Sequence, residues 1–517
     1  MAETGARKWI ITVTVILSCV IELIDTTIVN VSLPQMMGNL GATLDEIAWV
    51  VTAYVFANVI VVPMASWLSA VLGRRNYFVG SIVLFTVASF FCGHATSIWE
   101  MVVFRFLQGA GGGALMSTSQ SILVETFPPE ELGFATGLFG LGVVAGPTIG
   151  PTLGGWITDN YSWPWIFYVN IPIGVVAATL SLAFIRDPKE KRMIGSIDWV
   201  GILLLVAGVG SLQIVLDRGE RDDWFAAPYI TVLVVVAVLG IAAFIWRELT
   251  AEHPVVDLRV LKNRSLAVGT LFTFIYGFGM YASVFIFPVF VQNLLGFSAL
   301  QTGLILLPSS LTAAAMMPMV GGLIRRGVPP QLLNVLGFAT FCVFTWWLSN
   351  STLASGQADF FWPLILRGVG LSLLFVPFTT LALSTLRGKD IHQGTGLTNM
   401  MRQLGGSFGV ALVATFIEHR SWEYRQDLSR YVTPFDVALR ERLDVMVHGF
   451  MGSGSTVVEA QRQALAAIRG IVDKQAYLLT YMDAFRIIGV FFLCCMPLLL
   501  LFKRPRVQTA ISMHLEA

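Results

Sequence analysis

The sequence predicts an all-α polytopic membrane protein, on three observations. Mean hydropathy is +0.73, with 55% of the 517 residues hydrophobic and only 13% charged, too apolar for a chain that presents water on every side. The apolar residues gather into runs of about 20 or more, the length a helix needs to cross hydrocarbon. The segments between those runs hold most of the charge.

On the length criterion, fourteen spans are expected: 9–33, 47–69, 76–95, 99–123, 132–158, 163–185, 197–216, 228–247, 265–292, 299–324, 331–349, 360–385, 394–418 and 479–502. The first run follows Arg7 and Lys8 and shows no small-residue cleavage site, so it reads as a retained span rather than a signal peptide. An even number of spans puts both termini on one side. Nineteen of the 33 basic residues share that side, among them Arg74, Arg75, Lys191, Arg325 and Lys503, whereas the short loops opposite hold only Arg218 and Arg221. The positive-inside rule then makes both termini cytoplasmic. The long outside segment, 419–478, is polar, with apolar positions three and four apart in its later pieces, and reads as a helical hairpin in water.

An internal repeat organises the spans. "ATGLFGLGVVAGPTIGP" at 135 aligns with "GTGLTNMMRQLGGSFGV" at 394, and "VVPMASWL" at 61 with "MMPMVGGL" at 316, offsets of 259 and 255. Arg105 and Arg367 occupy the fourth span of each half, 262 apart. Two six-helix halves follow, 1–190 and 261–517, with two spans inserted at 191–260, a plan that places a binding site between the halves near mid-membrane.

Composition also narrows the function. The 33 basic and 32 acidic residues leave a net charge of +1, without the basic excess that nucleic-acid binding requires. The five cysteines sit in apolar runs without metal-ligand spacing. The absence of a phosphate-binding loop or nucleophile elbow argues against an enzyme or an ATP-driven pump. No cofactor or metal is expected, and the proton gradient remains as the energy source.

Charged residues inside the spans are then the candidates for function, because burying them is expensive. Glu22 and Asp25 lie three apart on one helical face of the first span, and Arg105 lies in the fourth with Gln108 one turn on. In the thirteenth, Asn399, Arg402 and Gln403 should face a cavity, where a cation beside Met400 and Met401 suits an amphipathic acid. In the fifth, Gly142, Gly146, Gly150 and Gly154 form a side-chain-free stripe for close helix approach, with Pro147 and Pro151 as bends.

"LIDTTIVNVSLP" in the first span, "RFLQGAGGG" in the fourth, "GVVAGPTIGPTLGG" in the fifth and "LGRRN" after the second resemble the fourteen-span drug:proton antiporters of the major facilitator superfamily, the EmrB/QacA type, and EmrB-like multidrug exporters most closely. The resemblance runs over nearly the whole chain and implies the major facilitator fold. It also implies proton-coupled efflux of lipophilic or amphipathic toxic compounds by alternating access across a bacterial inner membrane. Asp25 becomes the expected proton carrier and Arg105 its modulator, the alternative being a structural ion pair. Glu22 lies just upstream of the motif, and its role as second proton site, substrate contact or neutral carboxyl stays open. Candidate substrate contacts are Asn30, Tyr54, Asn58, Gln108, Met116, Gln120, Tyr281, Gln292, Asn399, Arg402 and Gln403. The glycine and proline stripe corresponds to the exporter motif at the interface between halves. Gly73, Arg74 and Arg75 correspond to the loop motif that holds one conformation, but its usual acid falls on Ala70. EmrB-like exporters work with a periplasmic adaptor and an outer-membrane channel, which would meet the chain at 419–478. An endogenous metabolite such as a siderophore as substrate, or proton-coupled import, are the rival readings.

Overall fold

Inside lipid an apolar run satisfies its backbone only as a helix or a closed barrel. In the computed structural model, which describes residues 5–187, 198–433 and 435–501, helices take up nearly the whole chain, and no strand occurs among the described residues. The first group is α1 (Gly5–Leu40), α2 (Leu44–Leu72), α3 (Arg74–His94), α4 (Ile98–Thr126), α5 (Leu132–Asn160), a single turn α6 (Trp165–Tyr168) and α7 (Asn170–Phe184). Then come α8 (Trp199–Leu205) and α9 (Ser211–Arg218), joined through a π-helical stretch at Val206–Gly210, and α10 (Pro228–Thr250). The last group is α11 (Arg264–Val289), α12 (Ala299–Arg325), α13 (Pro330–Leu348), α14 (Phe361–Leu383), α15 (Lys389–Ser429), α16 (Val437–Gly452) and α17 (Val457–Cys495).

Twelve helical segments among the described residues are long and apolar enough to cross a membrane. Helices α4 and α5 fall outside that number although each has 29 residues, a length of about 43 Å. In α4 the glycines, hydroxyls, amides and Arg105 dilute the apolar content; α5 is as apolar as the other spans, and several of its side chains lie outside the described ones. The boundary expected at 190/191 lies outside the described residues, as do Lys189, Lys191, Arg192, Lys503, Arg504 and Arg506.

Glycine decides which helices touch. A Cβ on Gly146, Gly150 or Gly154 would strike Leu23, Thr27 or Ile28, so the bare stripe of α5 takes the face of α1. The corresponding pair in the last group does the same: Gly277 lies on the Arg402 carbonyl, Gly405 on that of Phe274 and Gly409 on that of Phe278, locking α11 to α15. The other face of α5 meets α12, with Gly133 and Gly137 against Gly321 and Met317 at one end and Thr152 against Gly303 at the other.

The α8–α10 unit lies across the seam between α2 and α15. Leu205, Val209 and Phe244 pack in one apolar cluster with Val59 and Val62 of α2 and Leu397, Met400 and Leu404 of α15. Polar contacts reach the same two helices: Thr52 hydrogen-bonds Asp217, Ser407 Oγ donates to Gln213 Oε1 at 2.9 Å, and the Trp224 indole donates to Thr415 Oγ1 at 3.1 Å. Trp224 is placed by an Asp223–Trp224 turn in which both residues have positive φ, 57° and 49°.

The expected spans need one correction. The segment 419–478 is not a separate loop: α15 runs on to Ser429 and α17 begins at Val457, so both helices continue through it, with α16 folded against α17. Hydropathy ends a span where the side chains turn polar, but the backbone has no reason to stop there.

Candidate functional site

Two buried polar clusters occupy the bundle centre. The first surrounds Asp25 on α1. Arg105 on α4 donates from Nη1 to Asp25 Oδ2 at 2.5 Å, and both side chains are buried. Asp25 Oδ1 accepts from Gln108 Nε2 at 2.8 Å and from Asn170 Nδ2 at 2.9 Å. Arg105 also donates to Gln108 Oε1 (2.7 Å) and, from Nε, to the Val50 carbonyl (3.1 Å), and its guanidinium lies over the Tyr54 ring, 4.2 Å from the centroid. Asn170 is held in turn by Ser89, at 3.1 Å. Three donors, one of them a cation, thus converge on the two oxygens of one buried carboxylate.

The second cluster joins α1, α2 and α4 to α15. Asn58 Nδ2 donates to Glu22 Oε1 at 3.1 Å, and Gln403 donates to Asn58 Oδ1 from across the interface. Asn399 donates to Gln120 Oε1 at 2.6 Å. Arg402 donates to Asn399 Oδ1 at 2.9 Å and also contacts the Met116 sulfur. Several buried polar atoms here lack a hydrogen-bond partner: Glu22 Oε2, Tyr54 Oη, Gln403 Oε1, Arg402 Nη1 and Tyr276 Oη. Each such group costs about 1–3 kcal/mol until something satisfies it. Glu22 and Asp25, adjacent on the helical face, therefore divide between two partner sets. Tyr54 stands between them, its ring against Arg105 and its hydroxyl near Gly112 beside Glu22.

A third constellation closes the Arg74 end. Gly73 takes φ +83°, and a Cβ there would lie 3.3 Å from the Asp187 carboxylate, which accepts from the Arg75 backbone N–H at 2.8 Å. Arg74 pairs with Glu125 of α4, and Glu125 also contacts His392 Nε2 of α15 at 2.9 Å. Glu125 and Asp187 are thus the acids that meet Arg74 and Arg75.

Comparison with known proteins decides the family. Residues 15–410 match the Major Facilitator Superfamily. The chain is 32% identical to the fatty acid resistance protein FarB of Neisseria gonorrhoeae over 97% of both chains, and 32% identical to the multidrug export protein EmrB of Escherichia coli (strain K12) over 97% of this chain and 96% of that one. The chain belongs to the major facilitator superfamily. It is a multi-pass membrane transporter related to the EmrB multidrug exporters, not an enzyme. The colistin resistance protein EmrB of Acinetobacter baumannii is 30% identical over 93% of this chain and 94% of its own. Among solved structures, the human organic anion transporter MFSD10 superposes with a TM-score of 0.61 at 14% identity, covering 96% of this chain and all of that one, a likeness of fold.

Within this major facilitator, the residues expected at a site distribute unevenly. Gln108 joins the Asp25 cluster, whereas Asn58, Met116, Gln120, Asn399, Arg402 and Gln403 meet where α2 and α4 face α15, with Tyr54 against Arg105 and Tyr281 packed against Gly406. Asn30 is exposed and Gln292 half-buried in the π-helical end of α11, so neither joins these clusters. Sequence reasoning missed Asn170, Ser89, Glu125 and His392. Asn170 could have been found: it is an amide in the apolar run from Trp163 to Phe184.

Proposed function

We propose that this transporter exports lipophilic or amphipathic toxic compounds, weak acids foremost, in exchange for protons that Asp25 carries. The observation behind this reading is the Asp25 cluster: a buried carboxylate whose cation and two amides come from α4 and α7, one helix turn from the inter-half cluster on the same α1. As the halves rock, the contacts linking α1 through Asn58 to α15 change, and α4 with Arg105 shifts against α1 within the first half. The carboxylate then loses donors, takes a proton, and releases it when they return. One charge crossing about 100 mV is worth roughly 2.3 kcal/mol, and at roughly 1.4 kcal/mol per tenfold this sustains about a fortyfold gradient.

In this reading α4 and α5 join the twelve apolar helical segments to make fourteen spans, as two six-helix halves around α8–α10, with both termini in the cytoplasm of a bacterial inner membrane. The projecting α15–α17 hairpin would meet a periplasmic adaptor and through it an outer-membrane channel. The names of the relatives, which concern fatty acid, colistin and multidrug resistance, support a toxic amphiphile as cargo.

The test is Asp25→Asn in proteoliposomes. The variant should bind substrate within about threefold of wild type, a difference under 1 kcal/mol, yet show no uptake driven by an imposed pH gradient. Full gradient-driven transport by this variant would refute the assignment.

A further inference from the structure

We infer that Arg367, with Arg402 and the Tyr276 hydroxyl, forms a recognition site on the second half for the anionic headgroup of an amphipathic organic acid. The argument begins with the internal repeat. Arg105 pairs with Asp25, and its repeat counterpart Arg367 donates from Nε to Ser283 Oγ at 3.1 Å. Ser283 lies 258 residues after Asp25, within the range of offsets that relates the halves. The second half has therefore kept the arginine and put a hydroxyl where the acid stands.

A hydroxyl accepts a hydrogen bond but does not neutralise a charge. Arg367 is 3% exposed and Arg402 1%, and no described Asp or Glu from α11 onward is buried. A guanidinium at such depth is costly without a counter-charge or water; Arg402 shares its cluster with Glu22 of α1, so it is Arg367, with only a hydroxyl beside it, that most favours an arriving anion. Two more atoms point to the same ligand. Arg402 Nη1 and Tyr276 Oη are buried with no hydrogen-bond partner, and Tyr276 adjoins Gly277, which packs on the Arg402 carbonyl. The flanking surface is apolar: Phe375 lies 5.3 Å from the Tyr276 ring, centroid to centroid, and Met116 contacts Arg402. The ligand is thus an acid with a lipophilic tail, which enters as the halves part.

This inference rests on the reading of the bundle centre as the transport path, and the experiment separates the two. Decanoate and decyltrimethylammonium share a tail and differ in headgroup charge, and their binding to the full chain in nanodiscs is measured without a gradient. Arg367→Gln and Ser283→Asp, which supplies the missing acid and leaves the arginine in place, should each weaken decanoate at least about tenfold, or ~1.4 kcal/mol. Each should change decyltrimethylammonium less than about threefold, and Arg367→Lys should keep most of the decanoate affinity. Unchanged decanoate binding in Ser283→Asp, equal weakening of both probes, or no decanoate binding by wild type would each overturn the site. Proton release from wild type on adding decanoate bears on the transport reading alone, because the binding contrast holds with or without it.

Discussion

Asp25 shows how a single residue is made usable. Its two oxygens are divided, one to Arg105 and one to a pair of amides, so no donor is redundant. Asn170 is the donor whose loss is most diagnostic, because it arrives from α7 and carries no charge of its own. Replacing it with Leu leaves Oδ1 with Gln108 alone and Ser89 with its bond to the Phe167 carbonyl, a loss of about 1.5–3 kcal/mol for one hydrogen bond to a charged group. Asn170→Leu should therefore lower the thermal midpoint of the detergent-solubilised protein by several degrees. Combined with Gln108→Leu, the penalties should exceed the sum of the two, since only the double change leaves Oδ1 without an amide donor. Strict additivity would mean that the two do not act through Asp25.

At the scale of the element, the glycines of α5 divide into those that bear on a backbone and those that bear on a movable side chain. A Cβ on Gly142 would first meet Val20 Cγ2 at 3.2 Å, which can rotate away, whereas on Gly146 it would strike Leu23 at its Cβ and backbone. Gly142→Ala should keep most transport in proteoliposomes. Gly146→Val should abolish it or prevent folding, overpacking being worth about 1–3 kcal/mol or more where nothing can yield. Equal tolerance would show that α1 and α5 do not need this approach. The stripe was legible in the sequence because spacing by four fixes a helical face whatever the tertiary partner. So were Asp25, Arg105 and Arg402, which stand out as charges in apolar runs. The Glu125–His392 contact was not legible, since it joins residues 267 apart that both look like ordinary polar ends of helices. The ends of α15 and α17 were misplaced for a related reason: hydropathy reports the surrounding solvent, and helicity persists beyond it.

For the whole molecule, those two helices set a length problem. Helix α15 has 41 residues and α17 has 39, close to 60 Å each at 1.5 Å per residue, about twice the roughly 30 Å of hydrocarbon. The excess is built to stand in water. Arg425 pairs with Asp473 at 2.7 Å, and Tyr424 donates to Asp483 at 2.6 Å, tying the stems together. Ala460, Ala464 and Ile468 of α17 are buried on the stretch that packs with α16, while Phe435, Val437 and Val445 stay exposed. None of the charged or polar groups in the two central clusters comes from this projection. Transport and assembly should then separate. Replacing residues 431–455 with a Gly/Ser linker should leave gradient-driven transport by the purified protein within about twofold, a difference under 0.5 kcal/mol. In cells the same variant should lose resistance to a lipophilic acid, because the adaptor contact proposed above would go with the hairpin. Loss of transport in proteoliposomes would make the hairpin part of the transport cycle, and unchanged resistance in cells would remove it as the adaptor site.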